Sequence, residues 1–184
     1  YLTITSADGQ VYRIEDKDGT WIDSNGQVYK IGVQETETVK KGDIIEFGTY
    51  EQDNNEANGK ENIEWIVIDS KGSKVKLLSK YVLDRQPYHN TWENITWENC
   101  SLRKWLNEDF LDSAFSYSEQ QIIIRSQVNA DKNPDYNTFP GNSTTDRAFL
   151  LSVIEFQELD QSAKACSGTE YAYAQGVRES GNGN

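Results

Sequence analysis

"TWENCSLRKWLNEDFLDSAFS", residues 96–116, holds two of the chain's five tryptophans, one of its two cysteines and an Arg-Lys pair. Leu102, Trp105, Leu106 and Phe110 fall at i, i+3, i+4 and i+8, which puts them on one face of a helix. Ser101 or Asn99 is the expected N-cap, since a short polar side chain there accepts from a helix N–H that has no partner of its own. Trp105 lies on the apolar face and is expected in the core. Arg103 and Lys104 lie off it, as solvated groups or as partners of nearby carboxylates. The segment reads as a scaffold helix, so any activity is sought in loops.

Working back toward the N-terminus, "IEWIVIDSKGSKVKLLSKYVL" (63–83) is expected to be a hairpin turning at Lys71-Gly72. Ile63, Trp65 and Val67 alternate on one side, and Val75 and Leu77 answer from the returning arm. "DIIEFGTYEQ" (43–52) precedes it as a further strand. Earlier still, "DGQVYRI" (8–14) returns as "NGQVYKI" (25–31), each copy opening on a turn dipeptide, with a third turn at Asp18-Gly19. Residues 1–32 therefore read as a small β-meander or linker repeat, its apolar content supplied by Val11, Ile14, Trp21, Val28 and Ile31. The polar run 33–43 marks the boundary to a domain spanning 33–184.

Toward the C-terminus, Ser116 with Glu119, and Ser118 with Gln121, have capping-box spacing for a second helix. "AFLLS" (148–152) reads as a strand feeding a third helix through Ser152 and Glu155. A fourth runs from Thr169 to a stop at Gly176. Strands first, then helices with a strand among them, give an α+β class rather than alternating βαβ units.

The net charge is -12 and the pI near 4.5, which argues against nucleic acid or an anionic membrane as partner. No apolar run approaches the roughly 18 residues a membrane helix needs. The chain contains no methionine, so it reads as a processed or excised piece of something longer. The acidic, Asn/Asp/Ser/Thr/Gly-rich loops suit an extracellular or cell-surface setting. There Cys100 and Cys166 either form one disulfide or remain two buried free thiols.

His89 is the chain's one histidine, so neither a His-cluster metal site nor a site needing two imidazoles can be built. Walker, GxGxxG, GxSxG, HExxH and CxxC patterns are absent. The 30 carboxylates are too many to nominate a glycosidase pair by sequence. Two loops stand out. "QPYHNTWENITW" (86–97) interleaves aromatics with amides, a composition suited to stacking on a sugar or gripping a protein. Its expected ligand-binding residues are Tyr88, His89, Trp92 and Trp97. "NADKNPDYNTFPGNSTTD" (129–146), like "DNNEANGKE" (53–61), concentrates the oxygen donors that Ca²⁺ prefers. Asp131, Asn133, Asp135 and Asp146 are the expected cation ligands if Ca²⁺ is bound; neither loop has EF-hand spacing, and Asx-turns are the structural alternative.

The string "GDIIEFGTYEQ…GKENIEWIVID…VKLLSKYVLDRQPY", followed by W-E-x-C-x-L-R-x-W-L-N (97–107), "VNADKNPDYNT…PGNSTTDRAFLLSVIE" and "CSGTEYAYAQG", resembles a domain of unknown function frequent in secreted and surface proteins of Gram-positive gut bacteria. The likeness covers about residues 41–178. That family resembles the C-type-lectin-like fold shared with formylglycine-generating enzymes. The resemblance implies a C-type-lectin-like α+β core, incomplete here if a further W-W-L-R-S-P-G segment and a closing strand belong to it; a missing C-terminal part would then be a partner. The paired reactive cysteines of formylglycine-generating enzymes have no counterpart at matching positions. The expectation is therefore a non-enzymatic extracellular module recognising a glycan or surface protein. A two-carboxylate carbohydrate hydrolase and a structural spacer are the alternatives.

Overall fold

The structure, a computed structural model, describes residues 39–178 together with the backbone of four earlier strands. The chain divides into two compact units, Tyr1–Thr38 and Val39–Asn184. In the first, β1 (Leu2–Thr5), β2 (Val11–Ile14), β3 (Thr20–Ile22) and β4 (Val28–Lys30) form one antiparallel sheet in sequence order. The two GQVY copies supply β2 and β4. The turn dipeptides at 8–9, 18–19 and 25–26, Ile31, and the side chains of Val11, Ile14, Trp21 and Val28 lie outside the described residues.

The second unit is mixed α+β and opens with an antiparallel sheet of β5 (Ile44–Tyr50), β6 (Glu61–Lys71) and β7 (Lys74–Ser79). Ile63 and Val67 are fully buried on β6, as their alternation requires. Val75 does not answer from β7: it is 39% exposed, lying beyond a register slip between Val67 and Asp69. A second slip falls between Glu46 and Thr49, where Gly48 has φ +72°. A Cβ at Gly48 would lie 2.5 Å from the Phe115 ring and 2.7 Å from the Ala114 carbonyl, so glycine is what lets the helical layer settle on the sheet.

That layer is the segment read first. α1 (Ser101–Trp105), a π-helical turn (Leu106–Phe110) and α2 (Leu111–Ala114) follow without a break. In an uninterrupted α-helix the stripe of Leu102, Trp105, Leu106 and Phe110 would also take in Asp109 and Ser113, both polar. The wider π turn absorbs one extra residue, so that Leu111 and Ala114 join Phe110 on the buried face. These pack with Tyr50, Ile63, Leu83 and Phe115 as the core, and Trp65, Trp105 and Tyr171 close its margin. Trp105 lies 5.5 Å from the Phe110 ring, on the core side as expected.

The helix N-cap is Cys100, not Ser101 or Asn99: its Sγ accepts from Arg103 N at 3.4 Å. Asn99 instead closes a 3₁₀ turn, Trp97–Asn99. The capping boxes at Ser116/Glu119 and Ser152/Glu155 form as their spacing requires, opening α3 (Tyr117–Ile122) and α4 (Val153–Glu158). α5 (Gln161–Lys164) and α6 (Glu170–Ala174) complete the helices, with Gly176 at φ +97° just beyond α6. The expected strand at 148–152 is absent. Asn107 Nδ2 donates to the Ala148 carbonyl at 2.8 Å and Asn107 Oδ1 accepts from the Arg147 and Ala148 amides. A side chain thus supplies what a neighbouring strand would have. The strands nearby are β8 (Ser126–Val128) and β9 (Thr144–Asp146), an antiparallel pair. Among the described residues no helix is long and apolar enough to cross a membrane.

Candidate functional site

Two loops meet at the N-terminal end of α1. The first, between β7 and the 3₁₀ turn, is fastened at Asp84, whose Oδ2 accepts from the Tyr50 hydroxyl at 2.8 Å. It is fastened again at residues 88–90. The Tyr88 carbonyl accepts from Leu102 N (3.2 Å), His89 Nδ1 accepts from Ser101 N (3.2 Å), and Asn90 N donates to Ser101 Oγ (3.1 Å). The second loop, 129–143, docks on the first where Gly141 lies against Thr96. A Cβ at Gly141 would come within 2.7 Å of the Thr96 side chain. Next to it, Asn142 Nδ2 donates to the Glu98 carboxylate at 3.0 and 3.1 Å.

Between its anchors the first loop carries Trp92 into solvent, fully exposed at 105% of its reference area. Nothing in the fold uses its apolar surface, which is the reverse of what a large indole does by default. The second loop adds Tyr136 and Phe139, 69% and 80% exposed. Sequence reasoning had missed both, although they stand out as the two aromatics of an otherwise polar loop.

The other expected ligand-binding residues are tied to the fold by their polar atoms, and Tyr88 among them keeps 42% of its surface exposed. Tyr88 reaches the buried Cys100 thiol; burial first, then the thiol, pushes its hydroxyl up to about 12. Trp97 is half-buried, and its Nε1–H donates to Asp146 Oδ2 at 3.0 Å. His89 has 20% of its side chain exposed, its Nε2 3.1 Å from Glu93 Oε1. Of the four, Trp92 and Tyr88 present exposed aromatic surface, while His89 and Trp97 are partly buried.

Asp146 is a correction. It is 2% exposed and accepts from Arg103 Nε and Nη2 (both 2.8 Å to Oδ1), Thr144 Oγ1 (2.6 Å) and Trp97 Nε1. Burial alone would raise its carboxyl; donation from Arg103, then Thr144 and Trp97, outweighs that and holds it below its ordinary value. Its oxygens are taken by protein donors and are turned away from any cation. Asn133 forms the Asx-turn alternative, its Oδ1 accepting from Asp135 N at 2.8 Å, and Asp131 is exposed. Among the described residues the carboxylates close enough to share a cation are Glu51, Asp53 and Glu61, with oxygens within 4.8 Å of one another. Their loop already supplies donors: Glu61 Oε2 accepts from Gln52 N and Asp53 N, and Glu51 Oε1 from Asn55 N. The cysteines match neither alternative drawn from the sequence. Both are free thiols; Cys100 is buried as a helix cap and Cys166 is exposed.

The site is therefore an α+β scaffold holding aromatic loops against one helix end. Residues 72–184 match a family described as a domain of unknown function (DUF6273), and the chain belongs to that family. No curated protein and no solved structure matches it.

Proposed function

We propose that this domain is an extracellular recognition module that binds a neutral glycan through the loop carrying Trp92, with Tyr136 and Phe139 extending the contact. The observation that carries the reading is the full exposure of Trp92 on a loop tied down at three consecutive residues. A fixed indole offers stacking area without the ordering cost of a mobile side chain. Asn90, Thr91 and Asn94 place amides and a hydroxyl around it, a composition suited to sugar hydroxyls. The net charge of -12 disfavours anionic polysaccharides. A C-type-lectin-like core in a surface protein of Gram-positive gut bacteria, as the family resemblance implies, fits the same reading.

The test is a screen of the 184-residue chain on an array of neutral and charged glycans, repeated with Trp92→Ala. The substitution is expected to weaken binding by about 1–3 kcal/mol while leaving unfolding unchanged. Equal binding by both proteins would retire Trp92 as the contact. Binding to a surface protein with no glycan signal would move the reading to a protein partner.

A further inference from the structure

The anchor of the loop that carries Trp92 is a directional hydrogen-bonded chain with chemical consequences. His89 Nδ1 lies 3.2 Å from Ser101 N and 3.0 Å from Ser101 Oγ, and its Nε2 lies 3.1 Å from Glu93 Oε1. The Ser101 amide can only donate, so Nδ1 must carry the lone pair and Nε2 the hydrogen, which points at the Glu93 carboxylate. Asn90 N–H donates to Ser101 Oγ at 3.1 Å, and the hydroxyl, 3.0 Å from Nδ1, shares that one lone pair with the Ser101 amide. Thr91 Oγ1 donates to the same Glu93 oxygen at 2.5 Å and fixes it. A hydroxyl within reach of an unprotonated imidazole nitrogen, with the opposite nitrogen oriented by a carboxylate, is the arrangement that activates a serine. The helix-capping serines differ from Ser101. Ser116 Oγ donates to the Glu119 carboxylate at 2.6 Å, and Ser152 Oγ accepts from Glu155 N at 3.2 Å.

We infer that Ser101 is a nucleophile toward acyl esters, with His89 as its general base and Glu93 as the residue that positions the imidazole. Ser101 Oγ bonds to the ester carbonyl carbon as its proton passes to His89 Nδ1. The bond from that carbon to the leaving alcohol oxygen then breaks, and the alcohol takes the proton from the imidazolium. The products are acyl-Ser101 and a free alcohol. Water attacking the acyl carbon with the same base releases a carboxylic acid and restores the serine. The Asn90 N–H donates to Oγ itself rather than to the position of the oxyanion. Turnover is therefore expected to be slow, since each donor aimed at an oxyanion contributes on the order of 100- to 1000-fold. This goes beyond the binding reading and does not rest on it: glycan binding survives if Ser101 proves inert.

The experiment treats the folded chain with an alkyl fluorophosphonate, which adds the phosphonyl group to a reactive serine with loss of HF. Intact mass and peptide mapping locate the adduct. One adduct at Ser101, with Ser116 and Ser152 unlabelled in the same sample, is the expected result. Ser101→Ala should abolish it. His89→Gln should slow it by on the order of 100-fold or more. Glu93→Gln should slow it and Glu93→Asp restore part of the rate, a recovery that a purely structural contact would not give. Circular dichroism checks that each variant is folded, and the wild-type chain alone suffices to decide. An unlabelled Ser101 in folded wild-type protein, or labelling no faster than at Ser116, overturns the proposal.

Discussion

Replacing Arg103 by alanine removes the guanidinium from Asp146, which is 2% exposed while Arg103 keeps 29% of its side chain in water. The carboxylate would retain Thr144 and Trp97 as donors but lose its counter-charge. Breaking a buried pair by deleting one partner costs about 3–5 kcal/mol. The partial exposure of Arg103 and the two surviving donors place this case near about 3 kcal/mol. At about 3 °C per kcal/mol for a domain of this size, the melting temperature should fall by roughly 10 °C. Urea unfolding followed by tryptophan fluorescence reads this directly, since Trp97 bonds to the same carboxylate. The companion variant Arg103→Met with Asp146→Leu removes both charges and should recover most of the loss. A cost below about 1 kcal/mol for Arg103→Ala, or a double variant no better than the single one, would refute the view that this pair fastens the β8–β9 hairpin to α1.

Two further outcomes follow from the same geometry. Gly48→Ala should cost about 2–4 kcal/mol, combining a left-handed backbone position with a clash against Phe115 and Ala114. Gly72→Ala, at φ +60° with open space around it, should cost only about 1 kcal/mol; paired urea titrations distinguish the two, and equal costs would sink the packing argument. In acid, Asp146 sets a window: its folded value is held below the ordinary 3.8, so its contribution is fully present above that value and is lost as pH falls through the folded one. The stability gap between wild type and Asp146→Asn should therefore be constant from pH 7 to about 5 and shrink below about 3.8. A gap that already closes near neutrality would assign the effect to another group.

What could be seen in the sequence was local, and what could not was long-range. The capping boxes at Ser116/Glu119 and Ser152/Glu155 need only three residues of spacing, and both formed. The apolar face through Leu102, Trp105 and Leu106 needed one turn more. The π turn was not legible: Phe110 at i+8 fits an unbroken helix, and the extra residue shows itself only when Leu111 and Ala114 pack in the core. The Cys100 cap was hidden because a thiol is a weak acceptor that ranks behind serine and asparagine. Asp146 misled because a carboxylate in an oxygen-rich loop looks the same in sequence whether it awaits a cation or an arginine 43 residues away. Asn107 and Ala148, 41 apart, concealed the missing strand in the same way.

The polar side of the helix resolves whether its opening stretch is scaffold or site. Cys100, Arg103 and Asn107 fall at i, i+3 and i+7, a second stripe beside the apolar one. Cys100 meets Tyr88, Arg103 meets Asp146 and Asn107 meets Ala148, while Ser101 holds His89. One face of the helix thus builds the core, and the adjoining face fixes the surface loops. The segment's tryptophans bond to Asp146 and pack on Phe110, and its polar stripe fixes the loop that carries His89 and Trp92. Loosening that polar stripe should then impair binding at Trp92 even where the apolar core is untouched, because an indole on an unfastened loop must be ordered again each time it meets a ligand.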